Sequence, residues 1–83
     1  MSKLQLDVVS EEGTLFSGEA DFVVAPGGDG DLGILPGHAP LLSTLRPGTL
    51  RIQRQGSQET RIEVQGGFIE LRSDKVQIIS GAA

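Results

Sequence analysis

Apolar and polar residues alternate along most of this chain with a period of two. Leu4, Leu6 and Val8 interleave with Lys3, Gln5 and Asp7, and Leu50 and Ile52 with Arg51 and Gln53. The same alternation recurs at Ile62 and Val64, at Ile69 and Leu71, and at Val76 and Ile78. Each run turns one apolar face inward and one polar face outward, the pattern of a half-buried β-strand. Asp21–Ala25 predicts a shorter, more apolar strand. No stretch keeps apolar residues at helical spacing over three turns. Breaks fall at Glu12-Gly13, Gly56-Ser57, Gly66-Gly67 and Ser73-Asp74, and Pro-Gly occurs at Pro26-Gly27, Pro36-Gly37 and Pro47-Gly48. In a Pro-Gly turn, proline presets φ at the first central position and glycine tolerates the positive φ of the second. Short strands punctuated this regularly predict a single all-β domain over residues 1–83, a sandwich or barrel with no linker or internal repeat.

Composition narrows the function classes. A chain of 83 residues hides a modest share of its surface, so a small domain of this kind gains from docking onto something larger. It has no cysteine, which excludes a disulfide scaffold and thiolate metal sites. No apolar run has the length of a signal peptide or a membrane span, so any membrane association is expected to be peripheral, without lipid insertion. The net charge of −4 is unevenly spread. Acids from Asp7 to Asp31 dominate the first half, against Lys3 alone, while bases from Arg46 to Lys75 outnumber acids in the second. Nucleic-acid binding needs a basic face with aromatic stacking platforms. The only aromatics, Phe16, Phe22 and Phe68, read as core residues, so no nucleic-acid partner is expected. The apolar run Val76–Ile79 is expected at a sheet edge, where it offers a site for self-association.

The run Gly27–Leu42, G-G-D-G-D-L-G-I-L-P-G-H-A-P-L-L, concentrates the candidate chemistry. Gly28–Gly33 matches G-x-G-x-x-G after a strand, but Pro36, Gly37 and Pro40 forbid the helix whose N-terminus would hold a pyrophosphate. A calcium loop starting at Asp29 fails, because its fifth, sixth and twelfth positions are Gly33, Ile34 and Pro40. His38 with Asp29 or Asp31 as its orienting acid, and Ser43 or Thr44 as nucleophile, is the rival reading of a small ligand-binding or hydrolytic module. No G-x-S-x-G elbow supports it, and one histidine does not make a zinc site. No cofactor or metal is expected. The reading that needs least is an interface: glycines permit close backbone approach, and prolines reduce the entropy that a docking loop loses.

These residues also carry a resemblance. Leu6–Ser10 (L-D-V-V-S), Leu15–Gly18 (L-F-S-G), Gly30–Leu42 (G-D-L-G-I-L-P-G-H-A-P-L-L), Arg46–Ile52 (R-P-G-T-L-R-I) and Gly66-Gly67-Phe68 closely resemble the amino-terminal β-sandwich of the epsilon subunits of F-type ATP synthases. The resemblance spans the whole chain. It implies a flattened ten-stranded sandwich and a non-catalytic rotor role. Such a domain joins the gamma subunit to the membrane ring of c subunits, peripheral on an energy-transducing membrane such as the cytoplasmic face of the bacterial plasma membrane. It implies a c-ring contact at Gly28, Asp29, Gly30 and Asp31, and a gamma contact at His38, Ala39, Pro40, Leu42 and Ser43. Family members that continue into a two-helix hairpin use it to restrain ATP hydrolysis. That segment does not follow in these 83 residues, so the resemblance implies coupling and assembly rather than inhibition or ATP sensing.

Overall fold

Seven strands form one hydrogen-bonded sheet in the computed structural model, which describes residues 3–81. They are β1 (Leu4–Ser10), β2 (Gly13–Ala20), β3 (Phe22–Gly27), β4 (Gly30–Ile34), β5 (Leu41–Gln53), β6 (Thr60–Arg72) and β7 (Lys75–Ser80). Met1, Ser2, Ala82 and Ala83, the ends of the expected 1–83 domain, lie outside the described residues. The spatial order is β2-β1-β7-β6-β5-β3-β4. All neighbours are antiparallel except β1 and β7, which run parallel with Leu6 beside Val76 and Val8 beside Ile78.

Register and length turn this sheet into a sandwich. A straight strand of 13 residues would run roughly 40 Å at about 3.3 Å per residue. The molecule's long axis is 36 Å, and register and backbone angles show that β5 and β6 bend. They bend side by side, because Leu45 pairs with Gly67 and Pro47 with Gln65. On β6 the bend is made by Gly66 and Gly67, at φ +86° and +110°. On β5 it falls at Arg46–Gly48, where the register with β3 jumps from Val24–Arg51 to Gly27–Leu45. Beyond the bend each half finds a different partner. Gly67–Arg72 continues onto β7, β1 and β2, while Arg51–Gln53 continues onto β3 and β4. The two layers enclose a single core built from the alternating positions: Leu4, Leu6 and Val8; Val23 and Ala25; Leu50 and Ile52; Val64, Ile69 and Leu71; Val76 and Ile78.

Several expectations change. Only Pro36-Gly37 is a turn, with Gly37 at φ +86°. Pro26-Gly27 and Pro47-Gly48 lie inside β3 and β5, where the two strands nearly touch: a Cβ on Gly48 would sit 3.2 Å from Pro26. Gly66-Gly67 is a bend within one strand rather than a break between two. Val76–Ile79 is not an edge, since β7 is paired on both sides. Phe68 is not in the core; it is 55% exposed. The true edges, β2 and β4, are short on buried residues, so periodicity did not announce them.

The long β5–β6 loop is fastened by one carboxylate. Asp21 accepts hydrogen bonds from the Lys3 ammonium and from the Gln55 N–H, and its own N–H donates to Gln53 O at 2.9 Å. Beside it the Arg54 guanidinium lies 5.5 Å from the centre of the Phe16 ring. The Lys3 contact first, then the Gln55 contact, holds the Asp21 carboxyl below the ordinary carboxylate value. A carboxyl lowered on folding contributes stability above its unfolded pKa, and that contribution fades as pH falls through the folded value. Asp21→Asn is therefore expected to cost a constant amount near neutrality and to flatten the acid limb of the stability curve. NMR titration of the Asp21 carboxyl checks this, and an ordinary or raised pKa there would contradict it.

Candidate docking surface

The Gly27–Leu42 run is a tight hairpin followed by a turn. Gly27 pairs with Gly30 across β3 and β4, leaving Gly28 and Asp29 as the two-residue tip. Two glycines are required by the backbone here: Gly30 has φ +146°, and a Cβ on Gly27 would lie 2.5 Å from Gly30 O. The Gly28 N–H donates to Thr44 O at 3.0 Å, which pins the tip against β5. Arg46 reinforces it from the bend of β5, its Nε donating to Gly27 O at 2.6 Å and its other guanidinium nitrogen to Asp31 Oδ1 at 2.8 Å. The two tip acids therefore differ. Asp31 is held in an exposed ion pair, whereas Asp29 makes no ion pair among the described residues. Gly28, Asp29, Gly30 and Asp31 are all exposed. A shallow hollow of about 210 Å³ lies beside them, lined by Asp29, Asp31, Leu32 and Ser43.

The Pro36–Pro40 turn stands at the other end of β4. His38, Ala39 and Pro40 are exposed. The His38 N–H donates to Leu35 O at 3.2 Å, and its Nδ1, in the tautomer that carries a proton there, donates to Ala39 O at 2.7 Å. Four residue steps of β4 separate this turn from the acidic tip, roughly 13 Å of extended chain. No hydrogen bond joins His38 to Asp29 or Asp31 among the described residues. The structure thus does not assemble the histidine–acid pair that a hydrolytic site requires.

Leu42 and Ser43 belong to β5 rather than to the turn, and consecutive strand residues face opposite ways. Ser43 pairs with buried Ile69 and joins the hollow at the acidic tip. Leu42 points outward and is 73% exposed. It begins an outer face that the loop residues alone do not reveal. One cross-strand row on that face runs Thr44, Phe68, Ile79, Val9 and Thr14, over five adjacent strands. Phe68 and Ile79 are 55% and 48% exposed, and they sit directly opposite each other. The next row, Leu42, Glu70, Gln77, Asp7 and Ser17, is polar apart from Leu42. A signal for Phe68 existed: if Ile69 and Leu71 point inward, strict alternation sends Phe68 outward. Exposed contiguous apolar side chains bounded by polar ones mark an interaction surface.

Among the described residues no group of three or more His, Cys, Asp or Glu side chains is placed to hold a metal ion, and no helix is long and apolar enough to cross a membrane.

Comparison with known proteins agrees with this geometry. Residues 3–83 match the family model described as ATP synthase, Delta/Epsilon chain, beta-sandwich domain. The chain is 52% identical over 83 residues to the ATP synthase epsilon chain of Bordetella avium, covering all of this chain and 59% of that one. It is 50% identical over 84 residues to the ATP synthase epsilon chain of Desulforamulus reducens, covering 63% of that chain. It thus spans about three-fifths of the length of these curated relatives. Among solved structures, a chain in the OSCP/F1/c-ring of the Euglena gracilis mitochondrial ATP synthase superposes with a TM-score of 0.88 at 20% identity, over 96% of this chain and 51% of that one. A chain in the central stalk/c-ring of the Tetrahymena thermophila mitochondrial ATP synthase gives 0.80 at 15% identity, over 98% of this chain and 65% of that one. At these identities the structural likeness shows the fold.

Proposed function

This chain belongs to the β-sandwich domain family of ATP synthase Delta/Epsilon chains, and from that premise we propose that it is a non-catalytic rotor component of a proton-translocating F-type ATP synthase. In this reading it joins the gamma subunit of the central stalk to the ring of c subunits, so that torque passes between them. It sits peripherally on the energy-transducing membrane through the complex, at the cytoplasmic face in a bacterium. The observation that carries the reading is the coexistence of two unlike surfaces on one small domain. The apolar row centred on Phe68 and Ile79, with Leu42 at its border, suits a permanent protein partner, and we assign it to gamma together with His38, Ala39 and Pro40. The stiff acidic tip, Gly28, Asp29, Gly30 and Asp31, suits the polar and basic loops of a c ring, and Ser43 goes with it because it lines the same hollow. The names of the two solved assemblies, which include the c-ring and central stalk, support the same pairing of partners. The flattened ten-stranded form belongs to this reading as well; β5 and β6 each serve both layers, which raises the number of strand segments above seven.

The direct test is association of the folded chain with its cognate gamma subunit, measured by pull-down or calorimetry. A chain shown to be folded that does not bind gamma would sink the proposal. A second measurement addresses the tip. Asp29→Lys combined with Asp31→Lys is expected to leave thermal stability nearly unchanged and to weaken ring docking about threefold to tenfold, the range for exposed charge contacts. Asp29→Lys alone should carry most of the loss, because Asp31 is already engaged by Arg46. Assembled complexes that couple normally with both changes would exclude the tip as a ring contact.

A further inference from the structure

The turn that carries His38 is held from a distant part of the chain. The β6–β7 connection is a two-residue turn, Ser73-Asp74, between paired Arg72 and Lys75. Both residues are left-handed, at φ 48° and 62°. In such a turn glycine fits the second position without strain, and Asp-Gly or Asn-Gly is the favoured pair. Here the second position keeps a side chain, and that side chain is used. Asp74 Oδ1 accepts the Gly37 N–H at 2.8 Å, while Asp74 O accepts the Gln5 N–H at 2.8 Å. One residue therefore ties together the start of β1, the β6–β7 turn and the Pro36–Pro40 turn, 37 positions away from Gly37 in sequence.

Little else holds that turn. It lies between β4 and β5 and takes part in no strand pairing. Its remaining backbone bond is the local 3.2 Å contact from the His38 N–H to Leu35 O. Gly37 is at φ +86° and has nothing within 4 Å of its would-be Cβ, so sterics do not restrain it. A hydrogen bond to a carboxylate is stronger than one between neutral groups. It restrains the turn from outside, whereas the His38 Nδ1 bond to Ala39 O and the fixed φ of Pro36 and Pro40 act only within it.

We propose that Asp74 is a positioning residue for docking: its carboxylate fixes Gly37, so that His38–Pro40 is presented to the stalk partner in one preorganised geometry. The inference rests on the reading of that turn as part of the gamma contact. Asp74 touches no partner in this scheme; it lowers the ordering cost of the turn that does.

Two variants separate this role from plain hairpin stability. Asp74→Gly removes the carboxylate while giving the hairpin the residue its backbone prefers, so the fold is expected to persist. Asp74→Asn keeps a side-chain oxygen within reach of Gly37. Two quantities are read on the full chain: amide hydrogen exchange at Gly37 by NMR, and affinity for the cognate gamma subunit. Asp74→Gly is expected to speed Gly37 exchange about tenfold and to weaken gamma binding about threefold to tenfold, with thermal stability unchanged or raised. Asp74→Asn should bring both back to within about threefold of the parent. Unchanged Gly37 exchange in Asp74→Gly would overturn the clamp. Faster exchange with unchanged affinity would overturn its role in docking. If the parent chain itself fails to bind gamma, the docking reading falls, and the Gly37 exchange still decides whether Asp74 holds the turn.

Discussion

Replacing Gly67 by alanine is expected to unfold a large fraction of this domain. An alanine Cβ there would lie 1.8 Å from Ile79 O and 2.8 Å from Gly81 N, inside the backbone of the neighbouring strand. The atoms it meets have no freedom to rotate away, because Gly67 is paired with Leu45 on one side and Ser80 on the other. Its φ of +110° adds strain for any L-residue, about 1–3 kcal/mol. Pushing the strands apart also endangers the Gly81 N–H bond to Gly66 O and the Gln65 N–H bond to Ser80 Oγ, both 3.0 Å. Each such bond is worth about 0.5–1.5 kcal/mol. The total is about 2–6 kcal/mol, against the roughly 4–12 kcal/mol that a small domain of this length has to lose. Urea titration followed by circular dichroism measures it, with the midpoint expected to fall by about 2 M or more. Gly56→Ala is the internal control. It shares a positive φ, +77°, but meets nothing within 4 Å, and should cost only about 1 kcal/mol. Equal, small losses at both sites would show that the close approach at Gly67 does not constrain the bend.

The second large effect concerns binding with the fold left intact. Phe68→Glu should abolish most of the affinity for gamma while changing stability by about 1 kcal/mol or less, the worth of its cross-strand pair with Ile79. A large exposed aromatic packed beside an apolar neighbour is the kind of residue that dominates an interface, typically by about 2–4 kcal/mol, or roughly 30-fold to 1000-fold in affinity. The acidic replacement adds the cost of burying a charge against an apolar partner. Calorimetry on the folded variant reads the result directly. Affinity within about threefold of the parent would remove the outer face from the docking surface and return the assignment to the His38 turn alone.

Both predictions bear on how much was legible before the structure. The period-two alternation placed the inward residues of β1, β6 and β7 correctly, because each needs only its own neighbours to define a face. The Gly27–Leu42 run was legible as special because its glycines and prolines carry local backbone requirements. Its internal division was not. That Asp31 is paired while Asp29 is not depends on Arg46, 15 positions on, arriving at the bend of β5. That Ser43 and Leu42 part company depends on both lying in β5, where successive side chains face opposite ways. Phe68 has the aromatic character of a core residue, but its parity against inward Ile69 and Leu71 fixes its direction outward.

Local chemistry along the chain was therefore enough to determine an all-β domain, its inward faces and a segment with special backbone requirements, since propensity, alternation and turn residues act within a few positions. Tertiary structure alone decided the rest. Whether Gly66-Gly67 breaks a strand or bends it, whether Val76–Ile79 is an edge or a centre, and which acid is free are set by residues far apart in sequence. A two-layer sheet brings those residues within a few ångströms, and no local pattern encodes that approach.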